Sequence, residues 1–229
     1  METTISIADL QGLPFFNGLS DEILERLLDR HRVSNVGNGQ TLVMERDWDE
    51  SLMVIINGLA KVRSFNADGE ETVFALLGAG DLLGEIAILD GQSRSADVMT
   101  LSAVTLLKLQ GRLFKQLLHA ETSLALQLAR LEAARLRDLN RRFWIQRSDS
   151  TTRVLHALSY LACKSSAKTS PLALIPPLPQ GEIATLAGLA RETASRVMSK
   201  LRTRGTVIEH EGGTRLASLE PLTKRGLWP

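Results

Sequence analysis

The sequence predicts an α+β chain: a β-roll or jelly roll in front, one long helix in the middle, and a small helical unit that closes in a hairpin. Three observations carry this reading. From Val33 to about Leu109 short apolar runs alternate with Gly, Asp and Asn turns, the texture of many short strands in a barrel or jelly roll. From Leu113 to about Arg147 there is neither Pro nor Gly, so a helix can run without a breaker. Between Gln180 and Arg204 an apolar helical pattern meets Gly188 and restarts as a basic helix.

Taken in order, residues 5–30 read as helical. Ser20 is a candidate N-cap before Asp21 and Glu22, and Ile23, Leu24, Leu27 and Leu28 recur at helical spacing. Leu52–Ile56, Thr72–Leu77 and Val104–Leu109 have strand length, with turn signals at Gly37-Asn38-Gly39, Asn57-Gly58, Asp68-Gly69, Gly78, Gly80 and Asp90-Gly91. The stretch from Leu113 fits one helix of about 30 residues, some 45 Å long. Leu117, Leu124 and Leu131 are seven apart, the spacing of a coiled-coil dimer seam that turns polar near Asp138. Thr151–Ala162 is apolar at helical spacing, and Lys164–Pro179, with Pro171, Pro176, Pro177 and Pro179, reads as a loop or one short strand between turns. The expected divisions are 1–112, 113–147 and 148–229.

Composition narrows the class. The 229 residues are 44% hydrophobic but only 4% aromatic, so Leu, Ile, Val and Ala must fill the core. Apolar runs such as Leu52–Ile56 fall far short of a membrane span, and the first residues lack the features of a signal peptide; a cytoplasmic protein without membrane association is expected. The one cysteine, Cys163, can form neither an internal disulfide nor a cysteine metal cluster. His31, His119, His156 and His210 are isolated, and no nucleophile–base set, metal-ligand spacing or phosphate loop of the P-loop type occurs; catalysis is not expected. Net charge is +1, yet residues 1–129 hold 10 Lys and Arg against 18 Asp and Glu, while residues 130–229 hold 17 against 8. A basic second half attracts DNA phosphates while an acidic first half stays off them.

The basic half contains a helix-turn-helix pattern. A short helix from Gln180 runs to about Ala187, Gly188 sits where the chain must turn, and Ala184, Leu186 and Leu189 are apolar hinges. A second helix starts near Arg191, with Val197, Met198 and Leu201 facing inward and Arg191, Glu192, Ser195, Arg196, Lys200 and Arg204 outward. Arg can donate twice to guanine O6 and N7, and Glu can accept from cytosine N4. Arg191 and Arg196 therefore suit base edges with Glu192 between them, while Thr193, Ser195 and Lys200 suit phosphates. Thr206–Glu209 and Thr214–Leu219 flank Gly212-Gly213 as a hairpin wing, from which Arg215 could touch a phosphate.

The acidic half holds a second constellation, Gly84-Glu85-Ile86-Ala87 followed by Arg94-Ser95. Gly84 allows close backbone approach. A turn at Glu85–Ile88 would aim several N–H groups one way, and Arg94 and Ser95 could clamp a phosphate by charge-assisted bonds. Glu85 repels phosphate but suits a ribose hydroxyl. Together they describe a pocket for a ribose-phosphate ring.

Both constellations, over roughly Phe15 to Leu219, resemble the cAMP receptor protein/FNR family of bacterial transcription regulators. The cassette Gly84–Ala87 with Arg94-Ser95-Ala96 resembles that family's phosphate-binding cassette, and Gln180–Arg196 its helix-turn-helix. The resemblance implies a cyclic-nucleotide-binding β-roll, a long dimerisation helix and a winged helix-turn-helix. It assigns base reading of a palindromic TGTGA-like half-site to Arg191, Glu192 and Arg196. It assigns the ribose 2′-hydroxyl to Glu85 and the cyclic phosphate to Arg94 and Ser95, with no tightly bound cofactor.

One departure is visible. Where the cAMP receptor protein places a Thr-Ser pair against adenine, this chain has Asp138, Leu139 and Asn140, and Arg135, Arg137, Arg141 and Arg142 crowd the same stretch. The effector is accordingly read as cAMP or cyclic di-GMP, with Arg135 and residues 138–140 in the ligand set. The expected mechanism is a homodimer paired through Leu117–Phe143, in which ligand binding sets the spacing of two recognition helices to one DNA turn. RNA polymerase is an implied partner at the Lys164–Pro179 loop, for activation or repression. The alternatives are a regulator that is ligand-independent or answers another signal, and a cyclic-nucleotide-binding scaffold without DNA binding.

Overall fold

The computed structural model describes residues 5–166 and 169–228. The chain divides into two compact units: the chain up to Val62 with Leu77–Arg137, and Arg63–Leu76 with the chain from Asp138 onward.

The first unit opens with two short helices, α1 (Ile7–Gln11) and α2 (Asp21–Leu27). Ser6 caps α1 through a reciprocal box with Asp9, and Ser20 caps α2 by accepting from the Ile23 N–H, as its place before Asp21 and Glu22 led one to expect. The strands follow: β1 (Arg32–Val36), β2 (Thr41–Val43), β3 (Leu52–Asn57), β4 (Ala60–Phe65), β5 (Glu71–Leu77), β6 (Leu82–Leu83), then helix α3 (Glu85–Asp90) and strands β7 (Asp97–Thr100) and β8 (Val104–Leu109). They form two four-stranded sheets, β1-β8-β3-β6 and β2-β7-β4-β5. In the first, β8 lies antiparallel between β1 and β3, with Leu107 opposite both Val33 and Val54. Met53, Ile55, Leu83, Val98 and Leu106 share one apolar cluster. On the other side of the alternation, Leu52, Val54, Leu107 and Leu109 pack with Phe15, Phe16, Leu24 and Leu27. The β-roll, the strand runs and the helical ends agree with the sequence reading.

The expected single helix from Leu113 is corrected. The structure has α4 (Gly111–Ala120) and α5 (Thr122–Ile145), separated by Glu121 in extended backbone (φ −117°, ψ 97°). No Pro or Gly marks the break. It goes with packing, because Phe114 and Leu117 of α4 and Leu124 and Leu128 of α5 all enter the same core. The heptad leucines are corrected with it: Leu117 and Leu124 are fully buried in their own subunit and cannot form a seam. The apolar stripe that α5 leaves exposed runs through Leu126, Leu136, Leu139 and Phe143, and so continues past Asp138.

The second unit contains α6 (Ser150–Lys164), α7 (Gln180–Ala187), α8 (Arg191–Thr203), the hairpin β9 (Val207–His210) and β10 (Gly213–Leu216), and α9 (Glu220–Thr223). Asp149 caps α6 by accepting from the N–H groups of Thr151 and Thr152. The Pro-rich loop adds one bridge, Ile175 to Thr214, beside the hairpin. Helix α9, which the sequence reading did not include, closes the unit by burying Leu222 and Leu227. The outer half of the β4–β5 hairpin belongs to this unit.

Candidate functional site

The cassette residues converge in the first unit. Gly84 stands at the start of α3 in left-handed backbone (φ 93°), which glycine alone adopts without strain. The Arg94 side chain, 3% exposed, lies directly against it. Arg94 is fixed by its own backbone, which donates to Asp47 O at 2.9 Å and accepts from Arg46 N at 2.8 Å. Its Nη2 donates to Ser51 O at 2.6 Å, and the Asp49 carboxylate lies 3.6 Å away. Its Nε and Nη1 are buried and hydrogen bond to nothing among the described residues. Burial would raise the Asp49 carboxyl, but hydrogen bonds from Ser51 and the charges of Lys108 and Arg94 hold it below the usual carboxylate range. A cleft of about 270 Å³ lies here, lined by Thr41–Met44, Asp47, Asp49 and Arg94.

Glu85 is also buried. Its Oε1 accepts from Arg135 of α5, while its Oε2 has no partner among the described residues. Arg135 also donates to Leu82 O at 2.5 Å and to Glu132 at 3.1 Å. Burial lowers the Arg135 guanidinium, but Glu85, Glu132 and Asp81 more than offset this and hold it above its ordinary value. Burial, with the Glu85 charge adding to it, pushes the Glu132 carboxyl up against the pull of Arg135. Of the other cassette residues, Ile86 and Ser95 are exposed and Ala87 is half-buried.

Asp138, Leu139 and Asn140 fall in the second unit. Leu139 and Asn140 are exposed, and Asp138 lies beside the Tyr160 phenol, which burial and this charge together raise. Arg141 donates to Leu227 O at 3.2 Å, and Arg142 to Val73 O at 3.1 Å, so both are bound within their own unit. Sequence reasoning missed Asp49, Ser51 and Glu132. Asp49 and Ser51 are more than forty residues from Arg94, and no local pattern links them.

In the second unit the helix-turn-helix is assembled from α7 and α8. Gly188 is left-handed (φ 58°) and its N–H returns to Ala184 O and Thr185 O, closing α7. Arg153 of α6 locks this turn, donating to Ala187 O at 2.7 Å, to Gly188 O and to Gln146 at 2.8 Å. Ala194, Val197, Met198 and Leu201 are buried. Arg191, Glu192, Arg196 and Lys200 are exposed on the opposite side, Thr193 and Ser195 are half-buried, and Gln180 is exposed at the start of α7. Of the expected hinges, Ala184 is buried but Leu186 and Leu189 are only partly so; Ile183 and Ala187 take that place in the core. The N-cap of α8, Ala190, makes no side-chain cap, which leaves first-turn N–H groups free to meet a phosphate. Behind α8, Arg202 pairs with Glu209 at 2.7 Å, and Glu209 accepts from Thr214 at 2.9 Å, tying the helix to both strands of the wing. Arg215 is exposed. Among the described residues no cluster of His, Cys, Asp and Glu could hold a metal, and no helix is long and apolar enough to cross a membrane.

Comparison with known proteins agrees with both halves. Residues 33–121 match the family model of the cyclic nucleotide-binding domain, and residues 152–225 match that of the Crp-like helix-turn-helix domain. The chain is 30% identical over 199 residues to the cyclic AMP receptor protein of Thermus thermophilus, covering 86% of this chain and 89% of that one. It belongs to the Crp/Fnr family of transcription regulators. Another Crp/Fnr relative, the cAMP-activated global transcriptional regulator of Salmonella typhimurium, is 26% identical over 193 residues, covering 83% of this chain and 92% of that one. The solved structure of FixK2 from Bradyrhizobium japonicum shares the fold, with a TM-score of 0.72 at 18% identity over 85% of this chain and 96% of that one. Crp/Fnr regulators are not enzymes; the chain carries a cyclic-nucleotide-binding domain and a helix-turn-helix in one polypeptide.

Proposed function

We propose that the chain is a homodimeric regulator whose binding to palindromic, TGTGA-like DNA is controlled by cAMP held at Arg94 and Glu85. The observation that carries the reading is the pair of buried groups with bonding capacity left over. Arg94 keeps Nε and Nη1 without partners, and Glu85 keeps Oε2. A buried cationic donor pair suits a phosphate and a buried carboxylate oxygen suits a hydroxyl donor, so a ribose-phosphate ring satisfies both, while Gly84, Ile86, Ala87 and Ser95 supply the surrounding wall. Cyclic di-GMP rested on free arginines beside residues 138–140. Arg135 is held by Glu85, Glu132 and Leu82, and Arg141 and Arg142 by backbone carbonyls; the fourth, Arg137, is exposed. That the other three are already bonded favours the mononucleotide. The relatives named as cAMP-responsive support the same choice.

Two chains would pair along α5 through Leu126, Leu136, Leu139 and Phe143, all exposed apolar side chains, the last three at coiled-coil spacing. Arg191, Glu192 and Arg196 would read base edges, with Gln180, Thr193, Ser195 and Lys200 on the backbone. RNA polymerase would meet the loop 164–179, of which Ala167 and Lys168 lie outside the described residues.

The test is calorimetric titration with cAMP and then cyclic di-GMP, on the parent protein and on Arg94→Ala, followed by DNA binding with each ligand. Saturable cAMP binding that Arg94→Ala abolishes, with tighter DNA binding in its presence, is the expected result. Binding of cyclic di-GMP alone would overturn the choice of ligand. DNA binding without any nucleotide response would leave a regulator that answers another signal.

A further inference from the structure

The chain crosses between the units at three places: Val62–Arg63 and Leu76–Leu77, in the β4–β5 hairpin, and Arg137–Asp138, within α5. Within the second unit one hydroxyl lies at two of these three places. Tyr160 of α6 accepts the Leu76 N–H at 3.1 Å, and the Asp138 carboxylate lies close enough to the phenol to help burial raise it. Leu76 is the last hairpin residue of this unit and Asp138 its first helical one.

The surroundings hold the phenol in place. Arg142 lies over the Tyr160 ring at 5.6 Å and donates to the hairpin at Val73 O. His156, one helical turn earlier on α6, stacks on the same ring with centroids 6.1 Å apart and planes 23° apart. Burial, joined by the Asp138 charge, raises the Tyr160 phenol above its ordinary value, so it stays protonated at any physiological pH. Leu76 is itself buried, and a buried N–H without a partner is strongly disfavoured, so losing the phenol oxygen would release the hairpin rather than leave it in place.

We propose that Tyr160 is a positioning residue that fastens the β4–β5 hairpin and the long helix to α6 at one point, so that a shift of either segment on nucleotide binding reaches the helix-turn-helix. This rests on the nucleotide-controlled reading above for its signal, but the fastening itself does not. Helix α6 carries Arg153, which locks the turn between α7 and α8, so Tyr160 and Arg153, two turns apart on one helix, join the hairpin to the turn that precedes the recognition helix. Coupling of this kind needs an element with two arrangements that both ligands bias; the hairpin, fastened to this unit through Tyr160 and Arg142, is the element proposed.

The experiment uses the full chain with Tyr160→Phe, and Asp138→Ala as a second variant that removes the neighbouring carboxylate and keeps the phenol. Hydrogen exchange without ligand is expected to show hairpin amides, Leu76 first, exchanging at least tenfold faster in Tyr160→Phe, with α6 unchanged. Unchanged hairpin exchange overturns the fastening. With cAMP, the variant is expected to bind nucleotide within about twofold of the parent while the gain in DNA affinity shrinks at least fivefold. An undiminished gain overturns the transmission. A parent protein whose DNA affinity ignores cAMP sinks the nucleotide reading instead, and the exchange result then decides alone whether Tyr160 fastens the hairpin.

Discussion

The Arg94 guanidinium lies where a side chain at position 84 would have to be: a Cβ built on Gly84 would come within 2.0 Å of Arg94 Nη1 and 2.7 Å of Ser51 O. Glycine here therefore serves two ends, the left-handed turn into α3 and the room for a buried cation. Gly84→Ala is expected to cost about 3 kcal/mol of stability, from backbone strain and overpacking together. It should also abolish nucleotide binding, because Arg94 must move. Thermal melting and calorimetry on the same preparation check this, and a variant that melts like the parent and still binds would refute it.

Arg135 bridges α5 to the cassette through Glu85. Removing one partner of a buried pair leaves a charge without compensation, so Arg135→Ala should destabilise the protein by about 3 kcal/mol. Replacing the other partner as well, in Glu85→Gln with Arg135→Ala, should recover part of that loss, since position 85 then holds no unpaired buried charge. Denaturant unfolding of the two single variants and the double variant gives the coupling directly. Additive losses would show that the pair does not interact in solution.

His156 predicts a pH dependence of known sign. Burial, helped by Arg141 and Arg142 and opposed by Asp138, pushes its pKa down from 6.5 to about 4. Below pH 6.5 the unfolded chain takes up a proton that the folded one refuses, so stability present at neutral pH is lost as pH falls toward 4. The total is about 3 kcal/mol. His156→Leu should flatten that part of the stability curve, measured by denaturant midpoints between pH 7 and pH 4. An equally steep curve in the variant would assign the acid sensitivity to other groups.

Phe143 is 70% exposed on α5 and contributes little to the fold of one chain. Phe143→Asp should leave the melting of the isolated subunit unchanged and convert a dimer into a species of 25.1 kDa in sedimentation. DNA affinity should then fall by roughly two orders of magnitude, because each half-site binds alone. A variant that still sediments as the parent does would move the dimer seam off this stripe.

Much of the architecture was legible locally. Ser20 stands as a cap at a helix start, Gly188 closes α7, and the alternation of apolar runs placed the strands; the wing hairpin was legible too, though its turn is Glu211-Gly212 and Gly213 already opens the second strand. The exposed face of α8 followed from its 3.6-residue period, since Val197, Met198 and Leu201 leave Arg191, Glu192 and Arg196 no other side. What sequence reading got wrong came from packing at a distance. The heptad Leu117-Leu124-Leu131 read as a seam between chains, yet Leu117 and Leu124 are buried in the core of their own subunit, because periodicity reports that a face is apolar but not what covers it. Glu121 breaks the helix without any local breaker, and α9 was too short to show a period.

The same division holds at the site. The sequence by itself determined which chemistries were present, a glycine, a carboxylate and an Arg-Ser pair at close spacing, and a basic helix after a glycine turn, because those depend on residue type and local geometry. Only the tertiary structure decided that Arg94 is buried against Ser51 and beside Asp49 with two donors left over, that Arg135 holds Glu85, and that Tyr160 holds Leu76 beside Asp138. Those pairings link residues from 22 to 84 positions apart, and burial, which sets how strongly such groups seek a partner, is a property of the folded chain.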